Sequence, residues 1–415
     1  MKLINIDEKT YLNYALNQQY ISIYQLPQWG ELKKENGWIT HLLGLYDDKE
    51  LIGVTLILEK RTLIKKSLFY APRGFLLDFN NQELLQEFVN LLKIYIKEHK
   101  GFLLKVDPNV ILKIYDSNGN ELENVGENIL INMKKIGFKH LGFTKNFETL
   151  QPRYICRFKL RETYEKTLES FSKSTRKNIA KVEKNGVHTR KIDVNEIDLF
   201  VSLLEETSND KKFILRPTWY YKKMYELMKD YINLYITYLD TEEYYCYILN
   251  EIEKSKKELL NLEKQIQSIN VGNKIKNRLE EIKQKINNLK NKLQEADNLR
   301  KSYQKINIGA LMSIFIKEEG ITFMSGTSSS YKNFNPKYAF YNEHIKECLK
   351  QNKKYCNFYG ISGDINPNNP YYSIYEIKKG FNPEIIELLG EFDLVIKRFD
   401  YYLYKIALKI YKILK

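Results

Sequence analysis

The apolar positions of this chain follow two periods, and the change from one to the other divides it. From Trp38 to Leu45 and from Leu51 to Glu59, apolar and β-branched residues form strand-like blocks, separated by the polar turn Asp47-Asp48-Lys49-Glu50. Glu83 to His99 has helical spacing, and Phe102 to Val106 is a short apolar strand. The alternation predicts an α/β lobe over residues 1–150. A second lobe begins near Arg153 with Tyr154 to Leu160 as a strand, continues through a basic segment, and reaches a strand pair expected over Tyr231 to Leu249.

The period then lengthens. Ile252, Leu259, Leu262, Ile266 and Ile269 alternate three and four apart, with Ser255 the one polar residue in the seam. After Val271-Gly272-Asn273 the alternation restarts at Ile275 and runs through Leu279, Ile282, Ile286, Leu289, Leu293 and Ala296. Sustained spacing near 3.5 residues is the coiled-coil pattern, and glycine supplies the reversal. Two arms of about 25 residues would each reach nearly 40 Å, too long to fold back into either lobe. Strand signals resume at Ile306 to Lys317 and Ile321 to Met324. The prediction is therefore a second lobe built from 151–250 and 304–395, interrupted by an antiparallel hairpin at 251–303. In the tail, 396–415, Leu403, Ile406, Ala407, Ile410 and Leu414 share one helical face while Lys405, Lys409 and Lys412 share another. Packing on the first lobe and peripheral contact with an anionic membrane both suit such a helix.

With 415 residues, 43% of them hydrophobic, the chain exceeds a single small module. Its formal charge of +14 favours polyanionic partners without choosing among nucleic acid, nucleotide-linked substrates and anionic membranes. The hairpin shares little of that excess, with 13 Lys or Arg against 8 Asp or Glu, so dimer contacts remain a role for it beside tRNA binding. Four cysteines without a CxxC pair, and only five histidines, give no expectation of a metal. The N-terminus lacks the apolar run of a signal peptide, and no stretch nears the roughly 20 apolar residues of a membrane span, so a cytoplasmic protein is expected. Dinucleotide, P-loop, HExxH and GxSxG signatures are missing, as is the Gln/Arg-x-x-Gly-x-Gly/Ala loop that holds coenzyme A.

Several short segments, in order, resemble the FemABX family, whose members move amino acids from aminoacyl-tRNA to the stem peptide of peptidoglycan precursors. They are Gln25-x-x-x-Trp29-x-x-x-Lys33; Tyr70-Ala71-Pro72-Arg73-Gly74 with Asp78; Lys105-Val106-Asp107-Pro108; and Ser174-Thr175-Arg176-Lys177-Asn178-Ile179 ending at Gly186-Val187. The later half adds Ser325-Gly326-Thr327-Ser328-Ser329-Ser330-Tyr331, Tyr359-Gly360-Ile361-Ser362-Gly363 and Ile377-Lys378-Lys379-Gly380-Phe381. Two sites depart from the family pattern: Phe75 stands where proline is usual, and Ile377 replaces an aromatic residue. The resemblance implies two lobes like GNAT acetyltransferases, the second carrying the coiled-coil arm. It also implies transfer of Gly, Ala or Ser, glycine foremost, to lipid II or UDP-MurNAc-pentapeptide.

In such a reaction a stem-peptide amine attacks the aminoacyl ester and tRNA leaves, so neither a metal nor another cofactor is required. By resemblance Lys378 is the oxyanion stabiliser. Asp107, at a strand end before proline, is placed to position the amine or take its proton. Lys33, Arg216 and Tyr220 are implied to hold the precursor's diphosphate, and Arg216 and Tyr220 share a face if Pro217 opens a helix. Tyr331 would contact sugar or peptide, and Arg73 is either a substrate contact or a turn-holding ion pair. Lys173, Arg176, Lys177 and Lys181 form a basic run suited to tRNA phosphates. Two rival readings are transfer to another acceptor such as a membrane lipid, and a non-catalytic protein that uses the hairpin for homo-oligomerisation.

Overall fold

A computed structural model describes residues 1–211, 214–266 and 273–413, with side chains through residue 410. Two mixed sheets organise it. In the first, Lys2–Asn5, Ile39–Asp47, Glu50–Arg61, Ser67–Ala71, Gly101–Val106, Phe392–Val395 and Phe138–His140 lie side by side in that order. The first four strands form an antiparallel meander, and Ser67–Ala71 then pairs in parallel with Gly101–Val106. A parallel pair needs a crossover, here the helix Gln82–Glu98, whose buried Leu85, Phe88, Val89 and Leu92 cover the sheet.

The second sheet repeats this plan. Val187–Ile192, Ile232–Asp240, Lys305–Ile316 and Glu319–Thr327 form the meander, and Glu319–Thr327 runs parallel to Tyr355–Ile361 across the helix Pro336–Lys350. Tyr154–Lys159, Glu384–Leu388, Ile111–Tyr115 and Glu121–Asn124 complete it. The architecture is α/β, with two lobes of like plan, as the family resemblance implies.

The lobe boundaries differ from those expected. Ile111–Tyr115 and Glu121–Asn124, inside the expected first lobe, pair with the second sheet through Glu384–Leu388. Conversely, Phe392–Val395 inserts between Gly101–Val106 and Phe138–His140, where Phe392 and Leu394 join a core containing Leu104, Val106 and Phe138. Periodicity reports what an element is and not which neighbour it pairs with. Each lobe thus contains strands from the other's stretch of sequence.

The strand pair expected over Tyr231 to Leu249 is one strand, Ile232–Asp240, followed directly by a helix, Thr241–Ile266. Asp240 Oδ1 accepts the Glu243 amide at 3.1 Å at the switch. The tyrosine-rich stretch reads locally as strand, yet Tyr244, Ile248 and Ile252 lie four apart and bury one helical face. The partner arm is Asn273–Ser302. Ile252, Ser255, Ile282, Ile286 and Ala296 are buried between the arms, with Leu259, Leu262, Leu279, Leu289 and Leu293 half-buried. The reversal at Gly272, together with Val271 and Ile269, lies outside the described residues. Arg278 to Glu258 at 2.7 Å and Lys285 to Glu251 at 3.7 Å cross from arm to arm.

The C-terminal helix, Arg398–Ile413, docks on the first lobe through a face other than the expected one. Tyr401 is buried and its hydroxyl donates to Asp393 Oδ2 at 3.0 Å, while the Tyr404 ring meets Phe102 at 5.3 Å. Asp393 is fully buried and also accepts from Lys105 Nζ at 2.8 Å, so the sheet rewards a hydroxyl-bearing ring over an aliphatic stripe. Leu403, Ile406 and Ile410 consequently remain 42%, 56% and 52% exposed, and Leu414 lies outside the described residues. Among the described residues no helix is long and apolar enough to cross a membrane.

Candidate active site

The helix Pro27–Lys34 opens with proline at its first turn and buries Trp29 and Leu32, which leaves Lys33 at the junction of the lobes. Lys33 Nζ donates to the Tyr220 hydroxyl at 3.0 Å and lies 4.3 Å from the centre of the Trp29 ring. The guanidinium of Arg216 lies 5.8 Å from the Tyr220 ring. Pro217 caps the helix Thr218–Met228, so Arg216 sits just outside the helix that carries Tyr220, and the two still meet. Burial lowers the Lys33 ammonium to about 8, helped by Arg216 and Lys60. Among the described residues no carboxylate pairs with Lys33 or Arg216. Adjacent cations without counterions among the described residues, beside a phenol hydroxyl, have the chemistry to bind a polyanion such as a diphosphate.

A second group surrounds Asp107, which follows the strand Gly101–Val106 and is 2% exposed. Its Oδ1 accepts the Arg73 amide at 3.0 Å, and its Oδ2 stands 3.9 Å from Arg73 Nη1. Oδ2 and the nearby Tyr70 hydroxyl interact electrostatically, but neither completes a hydrogen bond. Burial raises the carboxyl to about 6, against the opposing pull of Arg73. A buried carboxylate oxygen without a full partner is poised to accept a proton. The Arg73 turn is itself bracketed by Gln25, whose Nε2 donates to Pro72 O at 2.8 Å and Leu56 O at 3.0 Å. Arg73 adopts φ of +54° and donates through Nη2 to Pro152 O at 2.6 Å, so it both holds the turn and joins the lobes.

This arrangement makes Asp107→Asn informative. Asparagine keeps the acceptor for the Arg73 amide but removes the charge. With Asp107 as base, wild-type activity falls as pH drops through about 6, because protonation abolishes the acceptor. That acid limb should vanish in the variant, along with about a hundredfold of the rate, while urea unfolding reports separately the stability lost when buried Arg73 keeps its amide acceptor but loses its counter-charge. A retained limb would assign Asp107 to the turn alone.

Lys378 lies on the helix Tyr372–Lys379 and is 6% exposed, with Nζ donating to Gly360 O at 2.7 Å. Burial lowers its ammonium to about 8; Cys156 raises it and Lys337 lowers it further. The basic run forms the helix Lys173–Lys184, capped by Ser172, whose hydroxyl accepts the Thr175 amide at 3.1 Å. Ser172 N donates to Gly380 O at 2.9 Å, and a Cβ on Gly380 would fall 2.1 Å from Thr175 Oγ1. Only glycine permits this approach, which clamps the basic helix two residues from Lys378. Lys173, Arg176, Lys177 and Lys181 are exposed and, among the described residues, form no ion pair.

The structure therefore brings together Lys33, Arg216 and Tyr220, joins Arg73 to Asp107, and places Lys378 beside the basic helix. Tyr331 stands apart from all of them, half-buried in the cluster at the root of the hairpin with its ring 6.3 Å from Phe334. Tyr24, Tyr359 and Arg157 were not singled out from sequence. The Tyr24 and Tyr359 hydroxyls meet at 2.9 Å across the lobes, beside a cavity of about 120 Å³ lined by both and by Arg73 and Arg157. Tyr359 belongs to the Tyr-Gly-Ile-Ser-Gly segment, a signal that marked the place without its role. Among the described residues, His344, Cys348 and Cys356 form a buried donor group with ligand atoms within 4.8 Å of one another. His344 and Cys348 share a helical face, and Cys356 comes from the adjoining strand.

Residues 6–409 match the FemAB family. The chain belongs to that family. It is 29% identical over 417 residues to the aminoacyltransferase FemA of Staphylococcus epidermidis, covering 99% of this chain and 100% of that one. FemA of Staphylococcus aureus strain N315 is 29% identical over 397 residues, 94% of each chain. The crystal structure of FemX superposes with a TM-score of 0.76 at 22% identity, covering 97% of this chain and 99% of that one, and so shares the fold. FemAB membership covers both lobes, the hairpin and every candidate residue.

Proposed function

We propose that this FemAB transferase moves an amino acid from aminoacyl-tRNA to the stem-peptide amine of a lipid II-type peptidoglycan precursor, with glycine the first donor to test. The observation that carries the reading is the cation pair Lys33 and Arg216, uncountered and tied to Tyr220 across the lobe junction, on a chain whose FemA relatives are aminoacyltransferases. The pair grips the diphosphate, and the basic helix beside Lys378 supports the tRNA end. The amine nitrogen attacks the ester carbonyl, its C–N bond forms, and its proton passes to Asp107. Lys378, still an ammonium at neutral pH, stabilises the oxyanion. Collapse breaks the C–O bond, and the leaving tRNA oxygen takes the proton that Asp107 accepted from the amine, which returns the carboxylate to its starting state. Work at the inner face of the membrane follows from a lipid-linked acceptor.

The test is transfer in vitro from a panel of charged tRNAs to purified lipid II, to UDP-MurNAc-pentapeptide and to a membrane lipid, each offered separately. Transfer to a peptidoglycan precursor supports the reading. Transfer to the lipid alone, or to none, overturns it. Within that assay Arg216→Ala should raise KM for the precursor about tenfold with little change in kcat, as expected for one exposed charge-assisted contact. An unchanged KM would remove Arg216 from the diphosphate site.

A further inference from the structure

The C-terminal helix leaves a continuous apolar stripe uncovered. Phe399 is 79% exposed, Tyr402 63%, Leu403 42%, Ile406 56% and Ile410 52%; Phe399, Tyr402, Ile406 and Ile410 recur three and four apart along one side, with Leu403 beside Tyr402. The docking face, Tyr401 and Tyr404, is already occupied by Leu68, Phe102 and Leu103, so this stripe is a second face with no partner among the described residues. Scattered exposed apolar residues are ordinary; an aligned series on one helix is not.

A separate element presents the same chemistry beside it. In the turn Arg61-Thr62-Leu63-Ile64-Lys65-Lys66, Ile64 packs into the cluster that receives Tyr401, while Leu63 points outward at 71% exposure. Trp38 enters the same cluster, and Ile39 next to it is 59% exposed. Cations surround these side chains. Arg61, Lys65, Arg398 and Lys409 are exposed and, among the described residues, unpaired with any carboxylate, and Asp400 is the one acid of the helix. Apolar groups rimmed by Lys and Arg match a bilayer whose headgroups are negative, since insertion and charge attraction then act together. A second copy of the chain would carry the same positive charge and be repelled.

The patch also connects to the diphosphate site. Lys60 lies 5.3 Å from the Trp38 ring and is close enough to Lys33 to help lower its ammonium. One step separates Trp38, in the cluster beneath the helix, from the cation that faces the precursor. We propose that the outer side of the C-terminal helix, with the Leu63 turn, docks on an anionic lipid bilayer and presents the Lys33 and Arg216 site to a diphosphate held at that surface. The surface stands on its own residues; the diphosphate clause rests on the transferase reading.

The experiment uses the full chain with vesicles of phosphatidylglycerol and phosphatidylcholine, and with phosphatidylcholine alone. Wild type should sediment with the anionic vesicles only and be released by salt. Ile406→Asp and Leu63→Glu, both at exposed positions that leave the core intact, should each reduce the bound fraction at least fivefold. They should also reduce transfer to lipid II in vesicles while leaving transfer to a soluble nucleotide-linked acceptor at wild-type level. Failure of wild type to bind, equal binding by both variants, or sedimentation velocity showing that the stripe holds a dimer would overturn the proposal. Vesicle binding decides it whatever the transfer assay returns; transfer to neither acceptor would overturn the transferase reading alone.

Discussion

Lys378→Met is expected to lower kcat for aminoacyl transfer by about 10²–10³-fold, the loss typical of removing one preorganised oxyanion donor. Methionine preserves the length and the buried apolar stem, so the fold should persist; Gly360 O loses its 2.7 Å donor, at a cost of about 1–3 kcal/mol. KM for both substrates should change little, because the interaction strengthens only as charge develops on the carbonyl oxygen. The pH dependence gives an independent check. Burial brings the ammonium to about 8, so its contribution is present below that value and lost as pH rises through it. An alkaline limb near pH 8 in the wild type and its absence in the variant would tie the rate to this group. Full activity in Lys378→Met would leave the lysine a structural contact of Gly360.

The second large effect is on stability. Arg153 is 2% exposed and Glu387 5%, and Arg153 Nη2 pairs with Glu387 Oε1. Arg153 also donates to Leu388 O at 3.2 Å and Thr144 O at 3.1 Å, while the Tyr115 hydroxyl donates to Glu387 Oε2 at 2.5 Å. The pair links the start of the second lobe to the strand Glu384–Leu388 and to Ile111–Tyr115, the strand that crosses over from the first lobe's stretch of sequence. Glu387→Ala strands a buried guanidinium and should cost about 3–5 kcal/mol in urea unfolding. The double variant Arg153→Met with Glu387→Met removes both charges and should recover most of that loss, because desolvation of the pair largely cancels its attraction. If the double variant is as unstable as Glu387→Ala, packing and not charge explains the site.

How far the sequence reached is clearest in the hairpin. Residues three and four apart on one chain meet a partner helix with the same spacing, so local periodicity was enough to name Ile252, Ser255, Ile282, Ile286 and Ala296 as the seam. The ordered motifs likewise marked Lys33, Arg73, Asp107 and Lys378, and the family resemblance added Arg216 and Tyr220, before any geometry was known. Their grouping was not legible. Lys33 and Tyr220 are 187 residues apart and meet at 3.0 Å, and Tyr24 meets Tyr359 across 335 residues, because sheet order and lobe docking choose those neighbours. The exchange of Phe392–Val395 and Ile111–Tyr115 between the sheets was hidden for the same reason.

The C-terminal helix shows the limit most sharply. An amphipathic pattern tells that one face will be covered, and the aliphatic stripe Leu403, Ile406 and Ile410 was the natural choice. The buried Asp393 carboxylate decided otherwise, since it needed a donor that Tyr401 supplies from the neighbouring face. By itself the sequence determined the types of element, the coiled-coil seam and the identity of the chemical groups, all of which depend on residues close in the chain. Strand partners, the face each helix buries, and the environments that set Asp107 near 6 and Lys378 near 8 were decided only in the tertiary structure, where burial and long-range contacts act.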